Sequence, residues 1–177
     1  VRRDLEVCAH TFLKGGVIRP AHRPESDRQP RTGIVLMGLL RMVHRLRSSP
    51  EKQAWWLLLL AYIAVRRWGW PTTVRCWQRF YRNRGREDVA LRNQQEWIDR
   101  IEAAVRSATA RHPLPVACKE RALCSWGLLR AHGLPAKLVL GIELFPLASH
   151  CWCQLGERVV GDLPERCARF TPVTSCG

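Results

Sequence analysis

The chain has 177 residues, 46% of them hydrophobic, which is enough for one domain with its own core. Its formal charge of +14 is uneven: residues 113–177 carry 7 of the 29 Lys/Arg and 5 of the 15 Asp/Glu, leaving 22 against 10 upstream. Eight cysteines fall below the density of a disulfide scaffold and no stretch reads as a signal peptide, so reduced thiols and a cytoplasmic location are expected.

Residues 1–33 mix Arg, Pro, Gly and His without helical or strand period, and Pro20, Pro24 and Pro30 punctuate their second half. A disordered extension is expected there, in which Cys8 and His10 lack the partners of a metal site. The run IVLMGLLRMVHRL, from Ile34 to Leu46, suits an amphipathic helix, with Arg41 and Arg45 four apart. Ser48 and Ser49 break it. Ser49 then reads as an N-cap, Pro50 as a first helical residue and Glu51 as a complement to the helix dipole.

The run AWWLLLLAYIAV, from Ala54 to Val65, is 12 residues long, short of the roughly 20 needed to span a bilayer. It reads as a core helix, although Arg66, Arg67, Trp68 and Trp70 leave peripheral membrane contact open. Pro71 is expected to end it. Val74, Trp77, Phe80 and Tyr81 mark a further helix, followed by a polar break from Asn83 to Glu87. Trp97, Ile101, Ala104, Val105 and Ala108 form a stripe that Pro113 and Pro115 stop, so residues 34–112 read as a helical layer.

Residues 113–177 change character. The segment VACKERALCSWGLLRAHG predicts a helix ending at Gly133, a natural left-handed C-cap, and Pro135 then opens the strand AKLVLGIEL. After a loop from Phe145 to Ser149 come the strand HCWCQL, a turn at Gly156 and Glu157, and the strand RVVGD. Cys118 falls at the helix start, where unpaired N–H groups and the positive dipole end favour a thiolate. The hairpin brings His150 and Asp162 to one end as near cross-strand neighbours. An imidazole beside the thiol, oriented by a carboxylate, completes the roles of a nucleophilic triad.

The other thiols fit less well. Cys124 lies six residues into the helix on a different face from Cys118, which makes it a core residue. Strand alternation sends Cys151 and Cys153 to the face opposite His150 and Trp152, so a zinc site of His150, Cys151 and Cys153 needs a bent backbone. No metal and no cofactor are expected.

Taken together, Cys118-Lys-Glu-Arg121, GLLRAHGLPAKLVLGIE and SHCWCQLGERVVGDLPER resemble the transglutaminase-like peptidase half of lasso-peptide B proteins. That family has a cysteine opening a helix with an Arg three residues later, an apolar-Gly-apolar-Pro-Ala segment leading into an apolar strand with a glycine near its end, an H-x-W strand and an Asp. The likeness covers about residues 113–173, with residues 34–111 resembling the family's helical prelude more loosely. Cys151, directly after the histidine, departs from the small or apolar residue common in the family.

The resemblance implies a Cys118–His150–Asp162 triad in a cysteine peptidase that cleaves the leader from a lasso-peptide precursor. It carries over Arg121 and Trp152 as motif or substrate-binding residues. It also implies a separate leader-binding protein and an ATP-dependent lasso cyclase as partners, since residues 1–33 are too short and proline-rich to be the leader-binding domain.

The expected fold is α+β, a helical layer packed on a small antiparallel sheet built by residues 113–177. Two rival functions share the sequence. A transglutaminase or other amine acyltransferase would use the same triad, whereas a basic membrane or nucleic-acid adaptor would use only the upstream charge. Nucleic acid is not an expected partner of the peptidase.

Overall fold

A computed structural model describes residues 29–45, 49–82 and 94–177. Disorder was expected over residues 1–33; of these, residues 1–28 lie outside the described residues, as does the polar break at Asn83 to Glu87. Helix α1 spans Gln29–Arg45, so it begins ahead of Ile34 and takes in residues assigned above to the extension. Pro30 falls in its first turn, where a proline removes no helical hydrogen bond.

Helix α2, Pro50–Trp68, opens on its proline after Ser49, which contributes its backbone carbonyl to the Gln53 N–H (3.1 Å) and no side-chain cap. Gly69, with φ of 77°, ends it, and α3 (Trp70–Tyr81) begins at once. Pro71, expected to end the preceding helix, stands in the first turn of α3; the left-handed glycine makes the break.

Helix α4, Gln94–Arg111, buries Ile98, Ile101, Ala104, Val105 and Ala108. Trp97, expected in that stripe, leaves the core side to stack on His132, with ring centroids 4.2 Å apart.

Helix α5, Cys118–Ala131, lies at the centre. Leu123, Cys124, Trp126, Leu128 and Leu129 are all buried, and the chain turns out through Gly133 at φ 77°. Trp126 Nε1–H donates to the Ala136 carbonyl (2.9 Å), tying α5 to the strand that follows.

The sheet holds β1 (Lys137–Leu144), β2 (Leu147–Leu155), β3 (Arg158–Val160) and β4 (Thr171–Cys176) in the order β3-β2-β1-β4. All pairs are antiparallel. The loop expected from Phe145 to Ser149 shrinks to a turn at Phe145 and Pro146, because Leu147, Ala148 and Ser149 already pair with β1. A short helix α6, Pro164–Cys167, and β4 have no counterpart in the sequence expectations. The β4 segment TPVTSC is exposed and contains Pro172, which an edge strand tolerates.

The sheet has two unequal faces. Leu138, Leu140, Cys151, Cys153, Leu155 and Val160 join the main core beneath the helices. Val139, Trp152 and Cys167 form a small second cluster with Val159 and Phe170 against them. The architecture is therefore α+β, with the helical layer on one face of the antiparallel sheet. Arg158 joins β3 to α4 through Asp99 and Glu102, each at 2.8 Å.

Candidate active site

Cys118 is the first residue of α5, following Ala117 at the N-cap. Alanine has no side-chain oxygen to cap a helix, and the reciprocal bond does the work: Glu120 Oε2 accepts from the Ala117 N–H at 3.0 Å. Glu120 is only 3% exposed, and Arg66 from α2 reaches its other oxygen at 3.4 Å. The buried carboxylate thus pins the backbone on which Cys118 sits. Glu120 was not among the site residues expected from the sequence, although a glutamate three residues after an N-cap position is a capping signal.

From Cys118 the residues three and seven positions on, Arg121 and Ser125, lie along one stripe of α5. That stripe meets the segment leaving β3. The third strand was expected to run to Asp162 but stops at Val160, opposite Cys153. Gly161 adopts φ of 79°, a conformation outside the strand ladder, and passes so close to α5 that a Cβ there would lie 2.6 Å from Ser125 Oγ.

This turn carries Asp162 off the sheet and into contact with both His150 and Arg121. His150 Nε2–H donates to Asp162 Oδ2 at 2.9 Å, and Arg121 Nη2 donates to the same oxygen at 3.3 Å. The Leu163 N–H donates to Oδ1 at 2.9 Å. His150 and Asp162 therefore meet through a left-handed turn and not as cross-strand partners.

His150 is buried in β2 opposite Gly141, its ring stacked near Phe170 (5.1 Å) and Trp152 (6.1 Å). Gly141 makes room for this stack. A Cβ there would sit 2.8 Å from Phe170 Cβ and 2.9 Å from the Trp152 ring. Trp152 thus packs behind the imidazole, a supporting place in the second cluster.

With Nε2 held by Asp162, the imidazole's Nδ1 is left for Cys118. Burial works against ionisation of Cys118, and it is outweighed by hydrogen bonds to the His150 side chain and the Cys151 backbone and by the charges of His150 and Lys119. The thiol's pKa is lowered from its ordinary 9.0.

The remaining described thiols behave oppositely. Burial raises Cys124 and Cys153, and it raises Cys151, where the negative charge of a Cys118 thiolate adds to the effect. Cys124 donates to the Ala54 carbonyl of α2 (3.5 Å), and Cys151 and Cys153 sit in the main core, away from Trp152.

The structure thus brings Cys118, His150, Asp162 and Arg121 together. A family model described as the transglutaminase-like superfamily matches residues 58–175, two-thirds of the chain. The chain belongs to the transglutaminase-like superfamily.

No curated protein and no solved structure matches it significantly. Members of the transglutaminase-like superfamily are generally cysteine proteases or acyltransferases, so nucleophilic thiol chemistry is the class of reaction to expect of this site. The matched span begins in α2 and covers both Arg66, which anchors Glu120, and the sheet as far as Ser175 in β4. None of the described helices is long and apolar enough to cross a membrane.

Proposed function

We propose that this transglutaminase-like protein is a cysteine peptidase that removes the leader from a ribosomally made lasso-peptide precursor. The observation that carries the peptidase reading is the placement of Cys118: a thiol with a lowered pKa at a helix start, beside an imidazole whose far nitrogen is held by a carboxylate at 2.9 Å. The lasso-peptide assignment rests on the motif resemblance over residues 113–173.

In this mechanism the Cys118 thiolate attacks the scissile carbonyl carbon, and the oxyanion is held by the Cys118 N–H, one of the unpaired donors of the helix start. His150 passes its Nδ1 proton to the leaving nitrogen, the C–N bond breaks, and a thioester remains on Cys118. The amine that departs is the core peptide with its free amino terminus. Water then gives a proton to His150 and adds to the thioester, and the carboxylate-ended leader leaves as the Cys118 thiolate is regenerated. Asp162 holds the imidazole in the required tautomer, and Arg121 holds Asp162.

A peptide substrate has an apolar rim to lie on. Phe145, Leu147 and Leu163 are exposed, and the register places the Phe145 turn at the end of the β1–β2 hairpin, three residue pairs beyond Gly141–His150. The partners in this reading are the precursor's leader, a separate leader-binding protein and the ATP-dependent cyclase that closes the core peptide, all in the cytoplasm. Arg67 and Arg75, exposed on α2 and α3, are the candidate docking residues; Arg66 is engaged by Glu120 and by the Tyr62 ring at 3.6 Å.

Incubation of the chain with a precursor peptide and its leader-binding protein, followed by mass spectrometry, tests the proposal. Two fragments separated by one hydrolysed bond are expected. A cross-linked or aminated product would establish acyl transfer to an amine instead.

A further inference from the structure

Beside the imidazole and the carboxylate lies a thiol that the peptidase mechanism does not use. Cys167 ends α6, and its N–H is bonded to the Leu163 carbonyl at 3.1 Å. The short helix after Asp162 therefore folds Cys167 back against the second cluster with Val139 and Trp152. Its Sγ, a ring nitrogen of His150 and a carboxylate oxygen of Asp162 all lie within 4.8 Å of one another.

We propose that His150, Asp162 and Cys167 form a zinc site whose occupation disables the triad. One nitrogen, one oxygen and one sulfur donor make a set that suits zinc, which binds them at about 2.0–2.3 Å. Around a tetrahedral ion such donors stand roughly 3.3–3.8 Å apart. The Nε2–Oδ2 separation of 2.9 Å need only open a little, and the sulfur need close in by about 1.5 Å at most. Three protein ligands leave a fourth position for water.

Coordination exchanges protons for the metal in a definite way. Starting from the neutral imidazole, the Cys167 S–H proton leaves to solvent, and the Nε2–H proton is replaced by zinc while Nδ1 becomes the protonated nitrogen. A metal-bound imidazole protonated at Nδ1 has no lone pair left to receive the Cys118 or water proton. Arg121 is the competing cation on Oδ2, and with its side chain 26% exposed it can yield that oxygen toward solvent. Cys118 is not part of the set, which separates this site from a metal bridging the Cys118–His150 pair.

The loss of activity rests on the proposed triad, but zinc binding can be read without any substrate. Zinc affinity is measured by competition with a chromophoric chelator, and cobalt(II) replaces zinc to report thiolate ligation through its sulfur-to-metal charge-transfer band. The full chain is expected to bind one zinc. Cys118→Ala should keep both the stoichiometry and the cobalt band. Cys167→Ser should lose the band and bind zinc more weakly, by more than the roughly tenfold to hundredfold that loss of an outer-shell partner costs.

Should Cys167→Ser fold poorly, Asp162→Asn serves in its place, because it removes a ligand of this set and should weaken zinc binding, whereas a metal held by Cys118 and His150 has no need of that carboxylate. Precursor cleavage by the full chain should fall with added zinc and return with a chelator. No binding by the full chain, or a band lost in Cys118→Ala and kept in Cys167→Ser, would overturn the site. Zinc binding without measurable cleavage would instead count against the peptidase reading alone.

Discussion

Arg121 and Asp162 meet across the gap between the central helix and the sheet, guanidinium to carboxylate at 3.3 Å. Arg121 stands one turn after Cys118 on the same face of α5, so the contact registers the thiol's helix against the loop that holds the imidazole. His150 shares the Asp162 oxygen at 2.9 Å. Any change that moves Asp162 therefore alters the histidine and the helix together.

Cys118→Ala is expected to abolish cleavage, lowering kcat by about 10⁴-fold or more, on the scale seen when a triad nucleophile is removed. Cys124→Ala, Cys151→Ala and Cys153→Ala, which change core residues, should retain activity where they fold. Single-turnover cleavage of precursor checks this, and full activity in Cys118→Ala would end the triad assignment.

His150→Ala and Asp162→Asn are expected to act with Cys118→Ala as one unit. Each double variant should be scarcely slower than Cys118→Ala alone, because the proton shuttle and its orienting group matter only when the thiol attacks. Multiplicative losses in the doubles would show independent roles.

Iodoacetamide alkylation of Cys118 should follow a titration with its midpoint below the ordinary thiol value of 9.0, since the thiol's pKa is lowered. The sign reverses in His150→Ala. Burial, the largest single influence, remains, while the histidine's hydrogen bond and charge disappear, so the midpoint should rise. A midpoint unmoved by His150→Ala would separate the two residues.

Gly141→Ala should destabilise the fold by about 1–3 kcal/mol, the usual cost of forcing extra atoms into a packed site. A Cβ at 2.8 Å from Phe170 Cβ and 2.9 Å from the Trp152 ring must push one of them, and both stack near the His150 ring. For a chain of this size the melting temperature should fall by about 2–4 °C per kcal/mol. Activity should fall with it, measured well below the melting point.

A separate leader-binding protein should accelerate cleavage by this chain. A flexible leader gripped only around the scissile bond binds weakly, and a second module holding its distal part makes cleavage effectively intramolecular. Phe145→Asp, on the apolar rim, should raise KM more than it lowers kcat. Equal rates with and without the partner would place recognition within this chain.

Helix periodicity and cap chemistry made the α+β order and the place of Cys118 at a helix start readable from residues alone. These are local properties: proline and glycine set boundaries, and an apolar stripe or alternation sets the buried face. The same alternation put Cys151 and Cys153 away from Trp152, where the structure also has them.

What lay beyond the sequence depended on contacts between distant segments. The strand carrying Asp162 was read as running too far, because the turn at Gly161 is set by its approach to Ser125 on α5. Strand β4 was missed because TPVTSC is exposed and contains Pro172, and only pairing with β1 makes it a strand. Glu120 became an anchor only when α2 delivered Arg66 to it. Cys167 joined His150 and Asp162 for the same reason: a four-residue helix, too short to show a period, folds the thiol back onto the sheet face that Trp152 and Val139 had already built.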